Sequence, residues 1–437
     1  MPQYLHPGVY VEEIPPLARP IAGAGTSTPG FIGVIPDTVQ LAAKTRASDA
    51  ASDIARGYKF VDFSYADPVR RAQAGRAYFI TSWTQYTQLF GDFIGDDSAA
   101  ATSAASPAVD TGQRHLAHAV FGFFNNGGTG CYVARVAAAA DLGNALRAFA
   151  AITDITMVAA PGLTGGTNYA ALTSHCETLQ DRVAILDPVE TNAAFDTGDF
   201  TLLQNPTTAT PTPGLRPQDS SFAAFYFPWI QVFDPATALM TAKNSPPGDG
   251  LIYVPPSGHM AGIYARTDAT RGVHKAPANE GVLGATGLRY ALSNADQDML
   301  NDNGVNLIRS LNGAIRVWGA RTVGGDANGD FKYISTRRFF NFLRTSIDQG
   351  TQFVVFEPNS PALWQRIIRS VSDFLLLQWR AGALFGDTPA KAFFVKCDKD
   401  TNPPEVRDAG QVVTEIGVAI VKPAEFVIFR IQQVTGG

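Results

Sequence analysis

The chain carries a strand pattern near each end with no hairpin partner beside it. The first is Gly8-Val9-Tyr10-Val11-Glu12-Glu13-Ile14, the second Glu425-Phe426-Val427-Ile428-Phe429-Arg430-Ile431-Gln432. A lone strand leaves its backbone donors and acceptors open, so each must find a sheet elsewhere. In the second, Val427, Phe429 and Ile431 share a face at period 2, and that face needs burial. The first is followed by Pro15-Pro16-Leu17-Ala18-Arg19-Pro20-Ile21-Ala22-Gly23-Ala24-Gly25-Thr26-Ser27-Thr28. Its prolines, glycines and small residues favour an extended or mobile tether over a helix. Fully stretched it reaches roughly 45 Å at about 3.3 Å per residue, beyond one subunit's own core. Two readings follow: each strand closes a sheet of its own subunit, or it is a connector to another.

At 437 residues the chain can hold two or three domains with sizeable cores. Charged residues are only 17%, so large surfaces are available for cover by other subunits, and the net charge of −5 includes no basic run. Neither nucleic acid nor an anionic membrane is an expected partner. Three widely spaced cysteines, Cys131, Cys176 and Cys397, fit a chain made in a reducing cytosol rather than a disulfide framework or a zinc site. Met1 to Pro7 lacks a basic stretch followed by an apolar core, so no signal peptide is expected. The apolar run Phe374-Leu375-Leu376-Leu377 is too short to span a membrane.

Along the chain, strands are expected at Phe31 to Ile35 and Ala77 to Ile80, with a capped short helix over Ser82 to Gly91. Residues 40–75 show no periodicity, and Ser98 to Pro107 is a low-complexity Ala/Ser/Thr loop. A helix through His115, Leu116, Ala119, Val120 and Phe123 stops at Asn125-Asn126-Gly127-Gly128 before strand Cys131 to Val136. Strand Ile155 to Ala159, helix Tyr169 to Gln180 and strand Val183 to Asp187 make a βαβ unit, hence a parallel α/β sheet. Phe222 to Phe233 is an aromatic run. From about residue 305 the pattern becomes a compact α+β module. It comprises helix Thr336 to Asp348, strand Gln352 to Phe356, a helix capped by Ser360 with Pro361 first, and strands Ala392 to Lys396 and Glu415 to Ile420.

Three places invite chemistry. The loop Pro161-Gly162-Leu163-Thr164-Gly165-Gly166-Thr167 lies between strand and helix, where a phosphate would meet backbone N–H groups, but it has neither dinucleotide nor P-loop spacing. Ser257, His259, Arg266, Asp268, Arg271, His274, Lys275, Asn279 and Glu280 form the densest polar stretch, readable as a hydrolase site or as a hydrogen-bonded loop network or subunit contact. His175 and Cys176 are adjacent in a helix and so point apart, and no metal-ligand spacing occurs. No catalytic residue, metal or cofactor is therefore assigned. A fourth feature is the basic stripe Arg366, Arg369 and Arg380, read either as a solvated face or as a rail for an acidic partner.

Several segments together resemble the contractile tail sheath family of bacteriophages, R-type pyocins and extracellular contractile injection systems. They are Pro7-Gly8-Val9-Tyr10-Val11-Glu12-Glu13, Arg19-Pro20-Ile21 with Gly25-Thr26-Ser27, Phe31-Ile32-Gly33, and Arg271 to Glu280. Further on come Val317-Trp318-Gly319-Ala320-Arg321-Thr322, Phe356-Glu357-Pro358-Asn359, Leu363-Trp364, Gly382-Ala383-Leu384-Phe385-Gly386 and Lys422-Pro423-Ala424-Glu425-Phe426. The resemblance is nearly full length, with residues 40–112 matching only in outline.

What the resemblance implies is a non-enzymatic structural subunit. Its fold would be an α+β inner domain built from the N- and C-terminal segments, an inserted α/β outer domain, and extended terminal strand arms. The expected boundaries are an N-terminal arm and linker over 1–30, the start of the inner domain with a variable insertion over 31–110, the outer domain over 111–304, the inner domain over 305–422 and a C-terminal arm over 423–437. Strand exchange between subunits falls to Val9, Tyr10, Val11, Glu12, Glu13, Phe426, Val427, Ile428, Phe429, Arg430 and Ile431. The stripe Arg366, Arg369 and Arg380 becomes an inner-tube contact. The expected partners are copies of the chain in a helical sheath, an inner tail tube, baseplate and tail terminator proteins, and sheath paralogues. The chain would be made in the bacterial cytoplasm and act in a phage tail or tail-like particle. The contrasting expectation is an α/β hydrolase using the Ser257 to Glu280 cluster.

Overall fold

A computed structural model describes residues 20–95, 109–210, 213–244, 246–426 and 428. The arm residues Val9 to Glu13, and Val427, Phe429, Arg430 and Ile431, lie outside them. The chain divides into a larger unit, residues 25–342 with 422–437, and a smaller one, residues 1–24 with 343–421.

The strands of the larger unit are β1 (Pro29–Val34), β2 (Thr38–Lys44), β3 (Tyr58–Ser64), β4 (Ala77–Ile80), β5 (Cys131–Val136), β6 (Met157–Ala159), β7 (Val183–Leu186), β8 (Ala223–Phe227), β9 (Ile230–Phe233), β10 (Leu251–Val254), β11 (Ala285–Leu288), β12 (Val305–Leu311) and β13 (Ala314–Val317). Eight form one sheet in the order β13-β12-β8-β7-β6-β1-β5-β4, parallel except at the antiparallel edge pairs β12–β13 and β4–β5. The central strands are apolar almost throughout because both faces are covered. Phe31, Met157, Ile185 and Tyr226 enter one core with helices Thr111–Asn125 and Ser257–Arg271. Their neighbours Ile32, Val158, Leu186 and Phe225 enter the other, with helices Leu142–Ala150 and Gly166–Leu179. The two-residue period of a strand thus divides one sequence between two cores.

Helices Thr111–Asn125 and Ser257–Arg271 pack closely because glycine removes the obstacle. A Cβ at Gly258 would collide with the Ala119 backbone, and one at Gly262 would come 2.5 Å from the Phe123 carbonyl oxygen.

The expected βαβ unit is present as β6, helix Gly166–Leu179 and β7. Four other expectations need correction. Residues 38–64 are not patternless: β2 and β3 pair antiparallel from Thr38↔Ser64 to Lys44↔Tyr58, and their half-exposed faces mix polar with apolar residues, which hides the alternation. The aromatic run is two strands, β8 and β9, separated by a cis Phe227–Pro228 bond. Gln352 to Phe356 is not a strand but a 3₁₀ turn over Gln352–Val354, because i→i+3 bonds from Val354 N to Thr351 O (2.9 Å) and Glu357 N to Val354 O (3.1 Å) take its backbone. The domain limits also move. Strand β1 lies between β5 and β6, and β12 pairs with β8, so residues 31–95 and 305–342 belong to the larger unit rather than to a separate inner domain.

In the smaller unit, helix Pro361–Arg380 begins at Ser360, whose side chain accepts from Leu363 N, with Pro361 in the first turn. It buries Leu363, Trp364, Ile367, Val371, Phe374 and Leu375. Strands β14 (Phe393–Lys396) and β15 (Glu415–Val418) pair antiparallel, with Phe394 opposite Gly417. A side chain at Gly417 would collide with the Phe394 ring.

The described part of the expected tether is bonded to the fold. Within the smaller unit Ile21 is buried against Gly350, and Ala24 N donates to Ser346 Oγ at 2.9 Å. Within the larger one, Thr26 O accepts from Thr156 Oγ1 at 2.7 Å and from Arg338 at 2.9 Å. Small residues that cannot build a helix here let the backbone lie close enough to be bonded.

Candidate functional site

The Ser257 to Glu280 stretch is a helix followed by a turn-rich segment, and its polar groups are taken up by the fold. Ser257 N donates to Asp187 Oδ1 at 2.8 Å and Ser257 Oγ to Asp187 Oδ2 at 2.6 Å. Burial pushes the Asp187 carboxyl up to about 6, against the opposing pull of its bonds from Ser257 and Gly162. His259 is buried against Gly122, and desolvation drives its imidazole down to about 3. Asp268 is held by Arg338 through bonds of 2.9 and 2.6 Å. Arg266 donates to Gly281 O at 2.7 Å, Lys275 to Ala276 O at 2.6 Å, and Arg316 to Asn279 O at 3.3 Å. Asp268 and Arg266 each tie this stretch to another part of the fold, while Lys275 closes its own turn. The hydrolase reading of this stretch is unsupported.

The glycine loop is similarly engaged: Gly162 N donates to Asp187 Oδ2 at 3.2 Å, which puts a protein carboxylate where a phosphate would have to bind. Cys176 is fully buried and its thiol is raised by desolvation, while burial lowers His175 to about 4. Among the described residues no group of His, Cys, Asp and Glu could hold a metal ion, and no helix is long and apolar enough to cross a membrane.

The residues expected to meet other subunits lie elsewhere. Among the described residues strands β14 and β15 pair with each other in a two-stranded sheet, and Phe394 on β14 is 58% exposed. Of the C-terminal strand, Phe426 and Ile428 are described, and both are exposed. On helix Pro361–Arg380, Arg369 and Arg380 are exposed while Arg366 is half-buried. Arg366 reaches Glu357 at 3.5 Å and lies 5.2 Å from the Phe353 ring centre, so it is not a free cation of the stripe. Of the three arginines, Arg369 and Arg380 remain on an open face.

Sequence reasoning missed two buried arginines. Arg338, 3% exposed, pairs with Asp268 and lies 4.6 Å from the Tyr264 ring centre. Arg321, 2% exposed, meets Glu425 through Nε–Oε1 at 2.8 Å and Nη2–Oε2 at 2.9 Å. For Arg321 the signal available was a charged residue inside the motif Val317 to Thr322, with Glu425 in a second motif, Lys422 to Phe426; Arg338 lies in neither.

The fold is a mixed α/β one of the kind found in contractile sheaths. Superposed on the sheath of an extracellular contractile injection system, the PVC sheath complex in its contracted state, it gives a TM-score of 0.69 at 26% identity, covering 99% of both chains. With the helical sheath of the anti-feeding prophage in its contracted state the TM-score is 0.66 at 26% identity, over 98% of this chain and 99% of that one. The chain belongs to the phage tail sheath family: the central-domain model matches residues 136–323 and the C-terminal-domain model residues 326–434, together more than half the sequence. A tail sheath protein of Burkholderia phage BcepMu is 27% identical over 46% of this chain and 40% of its own length. That of Enterobacteria phage T4 is 26% identical over 37% of this chain and 24% of its own. Those two alignments thus span less than half of each curated relative.

Proposed function

We propose that the chain is the structural subunit of a contractile sheath. It polymerises into a helical tube around an inner tail tube and contracts to drive that tube through a target envelope. The observation that carries this is the match over 99% of both chains to a sheath solved in its contracted state. The chain acts in a phage tail or tail-like particle, in contact with copies of itself and with the inner tube, baseplate, tail terminator and sheath paralogues. It is made in the bacterial cytoplasm.

In this reading the smaller unit is the inner domain and the sheet-bearing larger unit the outer one. Strands Val9 to Glu13 and Phe426 to Ile431 of neighbouring copies add to the edges of β14 and β15, where backbone hydrogen bonds supply affinity. Such head-to-tail contacts do not close on themselves, so the product is a helix. Arg369 and Arg380 face the inner tube, with Arg366 as a paired flank. Energy is stored at assembly and released as new contacts bury apolar surface, at roughly 25 cal/mol per Å² over many subunits.

Electron microscopy of the purified protein tests the reading. Striated tubes or short polymers are expected; strictly monodisperse particles under all assembly conditions would reject it. Deletion of residues 1–14 is expected to leave a folded monomer that forms no sheath, and normal contractile sheaths from it would remove strand exchange.

A further inference from the structure

Glu425 is the first residue of the expected C-terminal strand, and it is held by Arg321, Asn301 and Tyr333. Its Oε1 accepts from Arg321 Nε at 2.8 Å and Asn301 Nδ2 at 3.0 Å. Its Oε2 accepts from Arg321 Nη2 at 2.9 Å and Tyr333 Oη at 2.9 Å. Both oxygens therefore carry two donors each. Arg321 is itself positioned by the Asn301 carbonyl at 3.0 Å, Asp302 at 3.1 Å and Asp326 at 3.3 Å, and its backbone N donates to the buried Asn306 Oδ1 at 2.7 Å. The fork of a guanidinium matched to a carboxylate fixes direction as well as distance, which a lone lysine could not do. Immediately beyond, Phe426 is 72% exposed and Ile428 79%.

We infer that Arg321, with Tyr333 and Asn301, is a positioning clamp that grips Glu425 and sets the point and direction from which the C-terminal arm is offered to a second copy of this chain. The inference rests on the sheath reading and adds to it a residue-level device. An arm free from residue 422 onward would search a larger volume for its acceptor edge. A clamped root removes that freedom before binding, so less ordering entropy opposes each contact. The clamp joins two sequence motifs about a hundred residues apart, Val317 to Thr322 and Lys422 to Phe426, through one ion pair.

The test uses the full chain with a spin label on Ile428→Cys, which labels selectively because Cys131, Cys176 and Cys397 are all buried. Glu425→Gln keeps the size of the side chain but removes its charge. Its label should become more mobile in the monomer, and the protein concentration needed for assembly should rise about tenfold, the scale of a lost charge-assisted hydrogen bond. Lys422→Ala, which removes only the exposed pair with Asp330, should change neither reading. If the unsubstituted chain forms tubes while Glu425→Gln shows the same label mobility and the same assembly threshold, the clamp is overturned and the sheath reading stands. If the unsubstituted chain forms none, it is the sheath reading that fails, and label mobility in the monomer still decides the clamp. Should Glu425→Gln melt well below the parent, Tyr333→Phe carries the test: greater label mobility at an unchanged melting temperature supports the clamp, and unchanged mobility overturns it.

Discussion

The Arg338–Asp268 pair offers a sharp test of how the larger unit is held. Both side chains are nearly buried, 3% and 5% exposed, and they meet at 2.9 and 2.6 Å. Arg338 also donates to Thr26 O at 2.9 Å, so it fixes the chain leading into β1. In Asp268→Ala the guanidinium keeps that carbonyl and the face of Tyr264, but loses its counter-charge in a site that water reaches poorly. Stranding one partner of a buried ion pair costs about 3–5 kcal/mol. At about 2 °C per kcal/mol for a unit of this size, the melting temperature should fall by roughly 6–10 °C. Differential scanning calorimetry at neutral pH reads this directly. The double substitution Asp268→Leu with Arg338→Met removes both charges and should recover most of the loss, because the penalty lies in the unpaired charge rather than in the missing bond. A drop below about 1 kcal/mol for Asp268→Ala, on the scale of an exposed pair, would refute the argument. A double variant as unstable as the single would refute it too, by pointing to packing alone.

The Asp187 carboxyl is raised to about 6 in the fold and stands near 3.8 when unfolded, so the folded protein binds the proton more tightly; its stabilising contribution is complete below about pH 4 and is lost as pH rises through 6. Melting followed over that range should fall by roughly 2–3 kcal/mol more in the parent than in Asp187→Asn. Glu425 has the opposite sign: burial raises its carboxyl, but bonds from Arg321, Asn301 and Tyr333 lower it further, so its contribution is present above the ordinary carboxylate range and is lost only as pH falls through the lowered value. The spin label at residue 428 should thus stay as immobile at pH 5 as at pH 7. Gly262→Ala puts a Cβ 2.5 Å from Phe123 O and should cost about 1–3 kcal/mol in a denaturant titration, whereas the same change at Gly281, which has open space around it, should be near neutral. Arg366→Glu with Arg369→Glu should weaken association with the inner tube in a co-sedimentation assay at low salt, with Arg369 contributing the larger share, since Arg366 already has Glu357 as a partner.

The strands at Cys131–Val136, Met157–Ala159 and Val183–Leu186 and the helix between the last two were legible because both signals are local: strand and helix periods differ, and the glycine loop marks the change; the short helix Leu142–Ala150 was not read. The cap at Ser360 and Pro361 was legible for the same reason. The hairpin of β2 and β3 was not, since half-exposed strands mix polar and apolar residues on both faces. Nor was the turn at Gln352 to Val354, where a run of β-forming residues finds no partner strand and closes on itself.

By itself the sequence determined most of the elements and the family: strand runs, helix caps, and a set of short motifs that together resemble a contractile sheath. Only the tertiary structure decided what the polar residues do. Ser257 could be told from a nucleophile only once Asp187 was seen bonded to it, and the charges of Arg321 and Glu425, about a hundred residues apart, acquired a meaning only when the fold placed them 2.8 Å apart. Periodicity is a property of neighbours along the chain, whereas hydrogen bonding and charge pairing depend on distance in space, which the spacing of residues along the chain does not specify.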